Sequence, residues 1–311
     1  MSAEVSVGIQ LPTVDGFGCG YQELPPLVKT AEAAGFDSVW FGDHLRPNVP
    51  IVESIVAASV AAACSERVRI GFSVMLPALR QPVWWAKQLS SLQVVSKGRV
   101  ELGVGVGGEV ATEWELAGVP RSERGARTDT ILEALPDLLE GRPARLGAPW
   151  NLDVPPMLPV AGMPPLWVGG RSEAALKRAV RFEAGWLGLW ADEARLAAST
   201  AAMSEIAATM GKPVPHTGVG VMVHPTHDVE EGRLRTAEFM EAIYRIPFEQ
   251  LSRWILIGDE AAIAERIGAL VRAGARTVVM IPAMTDCVEQ MAALGAIADT
   301  VRKDHQILRT G

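Results

Sequence analysis

Three short stretches of this chain place polar residues directly after apolar runs, where a parallel sheet would expose its strand ends. In WFGDHL, Asp43 and His44 follow such a run. An imidazole there can take or give a proton near neutral pH; alternatively the pair caps the next helix and bonds the loop, and the residues alone leave both readings open. In VELGVGVGGE, residues 100–109, Gly103, Gly105 and Gly108 spell G-x-G-x-x-G and run into Glu109. That acid either caps the following helix or, with its pKa raised by burial, serves as a general acid. In WVGGRSEAALKRA a strand ends in Gly169 and Gly170, and a helix opens at Ser172 with Glu173 in its first turn. Exposed N–H groups, the Ser172 hydroxyl, Arg171 and the helix dipole make an anion site suited to phosphate. The alternative is an ordinary strand-to-helix turn with a serine cap.

Other residues carry weaker signals. Ser73 and Val74 close the run GFSVML, where a serine normally reads as a satisfied core hydroxyl. Arg124 and Arg127 either pair with Glu123 and Asp129 or hold an anionic ligand tail. His224 and His227 in HPTH lack an acidic or cysteine partner at ligand spacing, which favours loop histidines over a metal site. Trp84 and Trp85 fit a helix that packs in the core or at an interface.

The elements that must position these residues repeat from end to end. Apolar strand candidates lie at 5–11, 37–44, 68–76, 99–107, 164–170, 185–190, 219–224 and 277–283. Helical patterns such as SIVAASVAAAC and AAIAERIGALVRAG separate them, and several close on glycine. Continuous apolar strands joined by helices mean a parallel sheet covered on both sides. Eight such units predict an α/β fold, one (β/α)8 barrel over residues 1–311, with a long loop at 141–165 before the fifth strand, expected to close over the C-terminal face. The segment 225–258 is less regular, and an extra helix is expected there before ILIGD. The glycine motif follows the fourth strand, whereas a dinucleotide fingerprint belongs in the first strand-to-helix turn. In a barrel the same glycines stand at a strand end, where a flat ligand can approach the backbone.

Composition narrows the function classes. A net charge of −7 argues against a nucleic-acid binder. Cys19, Cys64 and Cys287 give neither a disulfide framework nor a zinc pattern. The sequence has no apolar run of membrane-spanning length and no signal-peptide pattern, so a cytoplasmic protein without membrane contact is expected.

In this order, AEAAGFDSVWFGDHL, VRIGFSVMLPALRQPVWWAKQLSSLQVVSKGRVELGVGVGGE, LAGVPRSERGARTDTILEAL, PPLWVGGRSEAALKRAVRFEAGWLG and LIGDEAAIAERIGALVRAGART resemble the luciferase-like monooxygenase superfamily. Its members are TIM-barrel enzymes that use FMN or the deazaflavin coenzyme F420, and the deazaflavin branch is the nearer in appearance. The resemblance implies that Asp43 and His44 contact the flavin ring and that His44 serves the reaction. It implies a strand bulge with a non-prolyl cis peptide at Ser73–Val74, backing the ring. It places Gly105, Gly107, Gly108 and Glu109 near the isoalloxazine, with Glu109 similar to the acid of the sugar-phosphate dehydrogenase branch. Gly169, Gly170, Arg171 and Ser172 would hold the cofactor phosphate. A lysine and arginine set for a sugar phosphate is not matched.

Three functions follow as expectations. The first is hydride transfer between coenzyme F420 and a small organic substrate. The second is an FMN-dependent monooxygenase using reduced flavin and oxygen. The third is a flavin-binding protein without catalysis, against which the retained His44, Glu109 and eight strands weigh. A homodimer is expected through the helices after strands one to three, where SIVAASVAAAC offers a small apolar face. The substrate is set by the loops after strands one, four and seven, which carry no readable motif.

Overall fold

The computed structural model describes residues 5–14, 21–108, 110–284 and 287–310. Eight parallel strands close into a barrel. In chain order they begin with β1 (Ser6–Gln10), β2 (Ser38–Phe41), β3 (Arg69–Phe72) and β4 (Val100–Val104). A short antiparallel hairpin, β5 (Ala144–Leu146) and β6 (Leu152–Val154), interrupts the series. The barrel resumes with β7 (Leu166–Gly169), β8 (Gly185–Leu189), β9 (Thr217–Pro225) and, after the accessory strand β10 (Ile255–Gly258), β11 (Thr277–Pro282). Each barrel strand pairs with the next, β8 pairs with β9, and β11 pairs back onto β1 to close the ring. All eight strands expected from the sequence are present.

Helices cover the outside. They are α1 (Leu24–Ala33), α2 (Ser54–Cys64), α3 (Pro82–Val95), α4 (Ala111–Leu116), α5 (Arg124–Leu139), α6 (Glu173–Arg181) and α7 (Glu193–Met210). The last four are α8 (Val229–Tyr244), α9 (Phe248–Leu251), α10 (Glu260–Arg272) and α11 (Met291–Thr310). Their starts are written in the sequence: Asp192, Asp228 and Asp259 each accept a backbone N–H three residues on, satisfying a donor that the first turn leaves without a partner. Among the described residues no helix is long and apolar enough to cross a membrane.

The main core lies between strands and helices, and a smaller one fills the barrel. Inside, Trp40, Trp167, Leu187 and Val279 meet from β2, β7, β8 and β11. Two tryptophans fit within an eight-stranded barrel only if their neighbours are small. Gly71 pairs in register with Trp40, and a Cβ on it would lie 2.2 Å from the indole; Gly185 pairs with Trp167, where the same atom would lie 2.4 Å away. Beneath them Glu101 receives Arg69 Nε and, at 3.1 Å, Trp167 Nε1, so this buried acid is paired as its burial demands.

Two segments differ from the sequence expectation. Residues 141–165 do not close over the C-terminal face. They leave α5 at its far end, and the hairpin runs along the outside of that helix, with Trp150 under Arg127 and Ala161 N–H bonded to the Leu139 carbonyl. The segment 225–258 holds two helices, α8 and α9, rather than one. It also adds β10, which pairs with the end of β9 from Ile255↔Met222 to Gly258↔Pro225.

Candidate functional site

Strand β2 ends at Phe41, so Gly42, Asp43 and His44 emerge on the face where the strands terminate. Asp43 is 4 % exposed. Its carboxylate accepts Ser54 Oγ at 2.8 Å, the Leu76 N–H at 2.8 Å, and both Arg80 terminal nitrogens at 2.8 and 2.9 Å. Asp43 therefore ties the ends of β2 and β3 to the start of α2. Burial works against the Arg80 charge, but Asp43 and Glu53 more than offset it and raise its pKa.

His44 has a partner that sequence reasoning missed. Its Nδ1 stands 3.2 Å from both carboxylate oxygens of Glu113, whose side chain is 1 % exposed against 32 % for His44. Glu113 also accepts the Arg46 N–H at 2.9 Å. Burial pushes the Glu113 carboxyl up, yet the His44 and Arg46 hydrogen bonds and the His44 charge pull it below its ordinary value. An ionised carboxylate only accepts, so Nδ1 carries the hydrogen and Nε2 is the basic atom of the ring. In the sequence Glu113 reads as an acid in the first turn of a short helix, complementary to the dipole, which conceals that it points inward.

The chain bulges after β3. Gly71 pairs with Glu101, but Met75, four residues on, bridges Val104, only three residues on. One extra residue is thus inserted in this strand. The Ser73–Val74 peptide bond is cis, and Ser73 Oγ donates to Gln10 Oε1 at 2.7 Å. Val74 turns into the barrel against the tryptophan cluster. Here the glycines acquire their reason. A Cβ on Gly105 would stand 2.4 Å from Val74 Cγ2, and one on Gly169 would stand 2.7 Å from Val74 Cγ1. Gly103 and Gly105 make room for the bulge, while Gly107 (φ +54°) and Gly108 (φ +118°) turn the chain.

That turn is flanked by two buried donors without a partner among the described residues, Trp114 Nε1 and Arg124 Nε. Both border it closely: a Cβ on Gly107 would lie 3.5 Å from Trp114 Cζ2, and one on Gly108 would lie 3.2 Å from Arg124 Nε. Arg121 donates to the Gly108 carbonyl. Of the pairs expected on this helix, Arg127 holds Glu123 at 2.9 Å, whereas Asp129 takes Arg178 at 2.6 Å instead of Arg124. Buried donors in native proteins are almost always satisfied, so this pair fits a ligand bearing acceptor oxygens. The adjacent strand end, at the start of α6, could seat an anionic group. Ser172 caps α6 by accepting the Ala175 N–H at 3.3 Å, Gly170 (φ +125°) accepts Trp186 Nε1 at 2.8 Å, and Arg171 is exposed. Glu109, expected beside the turn, lies outside the described residues, as does Cys19. His224 is buried with Nδ1 2.8 Å from Thr236 Oγ1.

These placements share one face. Numbered around the ring, the ends of the second to fifth strands (β2, β3, β4 and β7) carry His44, the bulge, the glycine turn and the Gly169–Ser172 seat. This donor set fits a phosphorylated flavin or deazaflavin: cationic and N–H donors at two neighbouring strand ends, with the bulge and His44 beyond them.

Comparison with known proteins agrees with this architecture. An uncharacterized protein of Mycobacterium tuberculosis is 31% identical over 212 residues, covering 61% of this chain and 73% of that protein. An F420-dependent glucose-6-phosphate dehydrogenase of Nakamurella multipartita is 30% identical over 178 residues, covering 54% of this chain and 52% of the enzyme. The solved structure of an F420-dependent secondary alcohol dehydrogenase in complex with an F420-acetone adduct superposes with a TM-score of 0.80 at 17% identity, covering 96% of this chain and 99% of that one. Residues 5–240 match the sequence profile of the luciferase-like monooxygenase family, and the chain belongs to that family.

Proposed function

We propose that this protein is a coenzyme F420-dependent oxidoreductase that moves a hydride between the deazaflavin and a small organic substrate. The observation that carries the reading is the His44–Glu113 pair, set on the same barrel face as the two seats for an anionic group. When bound, the deazaflavin supplies the hydride acceptor or donor. Everything else falls to the chain. Glu113 fixes the tautomer and orientation of His44. His44 Nε2 takes the proton of a substrate hydroxyl in oxidation and returns it in reduction, a role that typically contributes about 10²–10⁴-fold. Asp43, expected to touch the ring, acts in this reading as a positioning residue: with Arg80 it anchors the loop that bears His44. Arg124, Trp114, Gly170 and Ser172 hold the phosphate. Glu109 is the second candidate for handling a proton.

The relative named as F420-dependent supports the choice of deazaflavin, and a solved structure of the same fold, a type II Baeyer-Villiger monooxygenase, is in complex with FMN. Titrating the purified chain with each cofactor, read by cofactor fluorescence, tests the choice. Tighter binding of F420 supports the proposal, and preferential binding of FMN replaces it with the monooxygenase reading.

The assembly we propose is a homodimer. The small residues of α2, Ala57, Ala58, Ala61 and Ala62, pack into the core rather than outward. The exposed apolar surface on these helices is instead Val56 on α2 with Trp84, Val94 and Val95 on α3, of which Trp84 is 70 % exposed.

A further inference from the structure

The floor of the barrel mouth holds a polar pair that the chemistry above leaves unused. Along β1, Val7 and Ile9 pack outward into the main core. Gly8 faces inward, where a Cβ would stand 2.6 Å from Trp40 Nε1. Side chains alternate along a strand, so Gln10, two residues on, also points into the barrel, at the end where β1 stops. The same alternation turns Gly42 inward after Trp40, and Ser73 inward after Gly71. Ser73 Oγ donates to Gln10 Oε1 at 2.7 Å. The pair thus reaches from the third strand to the first across Gly42, which has no side chain to block it.

This pair differs from the core beneath it. Gln10, Gly42 and Ser73 are each partly exposed, whereas Trp40 is fully buried. With Oε1 engaged by Ser73, the Gln10 amide is fixed in orientation, and among the described residues its Nε2 meets no acceptor. That nitrogen hangs over the strand end that leads into Asp43 and His44: a Cβ on Gly42 would lie 3.7 Å from it. Elsewhere at this level the inward positions are apolar or glycine, as at Val74, Gly105, Gly169 and Leu189. Gln10 Nε2 is therefore a preset donor on an otherwise apolar floor. In VGIQL a glutamine that closes an apolar strand looks like an ordinary solvent-facing end, which hides this placement.

We infer that Gln10 binds the cofactor ring: its Nε2 donates to a carbonyl oxygen at the ring's edge while Oε1 holds the Ser73 hydroxyl. The inference rests on the cofactor reading above. Flavins and deazaflavins share a pyrimidinedione edge with two carbonyl acceptors, and hydrogen bonds to the ring are one means by which a protein tunes it. The order of the strands favours the ring over the tail as the partner. The candidate seats for an anionic group lie at the ends of β4 and β7. A flat ring tethered there and laid on Val74 of the third strand runs toward Ser73, then Gly42, then Gln10. One polar contact on an apolar floor then sets how the ring lies.

The test is fluorescence titration of the purified chain with F420 and with its phosphate-free form, which keeps the ring and ribityl chain, on wild type, Gln10→Leu and Gln10→Glu. Gln10→Leu keeps the bulk and loses the donor. Gln10→Glu keeps an acceptor for Ser73 and puts an anionic oxygen where the donor was. Gln10→Leu should weaken both ligands by the same factor, about 3- to 10-fold, the range of one hydrogen bond, and should move the visible absorption band of the bound ring. Gln10→Glu should weaken both at least as much. Thermal unfolding without ligand reports an intact fold, and Gln10→Glu carries the test if Gln10→Leu does not fold. Unchanged affinity in Gln10→Leu, or wild-type or tighter affinity in Gln10→Glu, overturns the donor role. A loss with F420 that is absent with the phosphate-free form overturns the contact with the ring. If wild type binds FMN and not F420, the choice of deazaflavin fails alone, and the same comparison with FMN and riboflavin decides on Gln10. Binding of neither cofactor by wild type overturns both readings.

Discussion

His44 Nδ1 lies 3.2 Å from each carboxylate oxygen of Glu113, across 69 residues of sequence, with the acid buried and the imidazole half-open to the barrel mouth. The arrangement makes Nε2 the working nitrogen, and it assigns different consequences to the loss of each partner. Replacing His44 by Ala removes the proton carrier. Turnover should fall by about 10²–10⁴-fold with the fold and most of the cofactor affinity kept. Unchanged turnover would move the role to Glu109.

Glu113→Gln should act through His44. Without the carboxylate the ring loses the acceptor that fixes its tautomer, so turnover should fall while the fold is kept. The same variant tests stability. The folded Glu113 pKa lies below the ordinary 4.5. A depressed carboxyl stabilises the fold fully above its ordinary value and loses that contribution as pH falls through the folded one. The Tm gap between wild type and Glu113→Gln should therefore be widest above the ordinary carboxylate value and close as pH falls below it. A gap independent of pH contradicts the assignment.

Arg80 and Asp43 form a buried bidentate pair, with side chains 18 % and 2 % exposed. Arg80→Met leaves that carboxylate without its cation and should cost about 3–5 kcal/mol, read by denaturant unfolding. Adding Asp43→Asn should recover part of the loss, since it removes the stranded charge. No recovery would mean that Arg80 acts through Glu53 instead.

The fit between Gly105 and Val74 can be broken and repaired. A methyl on Gly105 meets Val74 Cγ2 at 2.4 Å, so Gly105→Ala should destabilise by about 1–3 kcal/mol through overpacking. Combining it with Val74→Ala should cost less than the sum of the two single changes. Additive effects would show that the glycine serves something other than the bulge.

How much of this was legible in the sequence depended on periodicity. The eight barrel strands stand out because each is a continuous apolar run, and capping residues such as Asp192 and Ser172 mark where helices begin. The hairpin of 144–154 escapes notice because its strands are three residues long and lie in a Pro-rich stretch without a period. Ile255–Gly258 has the composition of a strand, yet an eight-fold count leaves it no place, since it pairs beyond the ring on the overhanging end of β9. At the site, His44 and the glycines are visible from their position at strand ends. Glu113 and the free edge of Trp114 are not, because a buried acid in a helix and an unpartnered indole look like any surface Glu or core Trp until the tertiary neighbours are known.

The proposed dimer is the simplest claim to check. Light scattering at micromolar concentration should return twice the chain mass, and Trp84→Glu, which puts a charge into the exposed apolar surface of α3, should return a monomer. A wild-type monomer would end the proposal.

The central claim is that the chain passes a hydride to or from F420 while His44 handles the proton. A single anaerobic turnover tests it most directly: the protein loaded with oxidised F420 is mixed with a panel of secondary alcohols, and the visible absorbance of the deazaflavin is followed. The account predicts bleaching without oxygen for at least one alcohol of the panel, slowed about 10²–10⁴-fold in His44→Ala. No bleaching with any alcohol, together with oxygen uptake when reduced FMN is supplied, would contradict it.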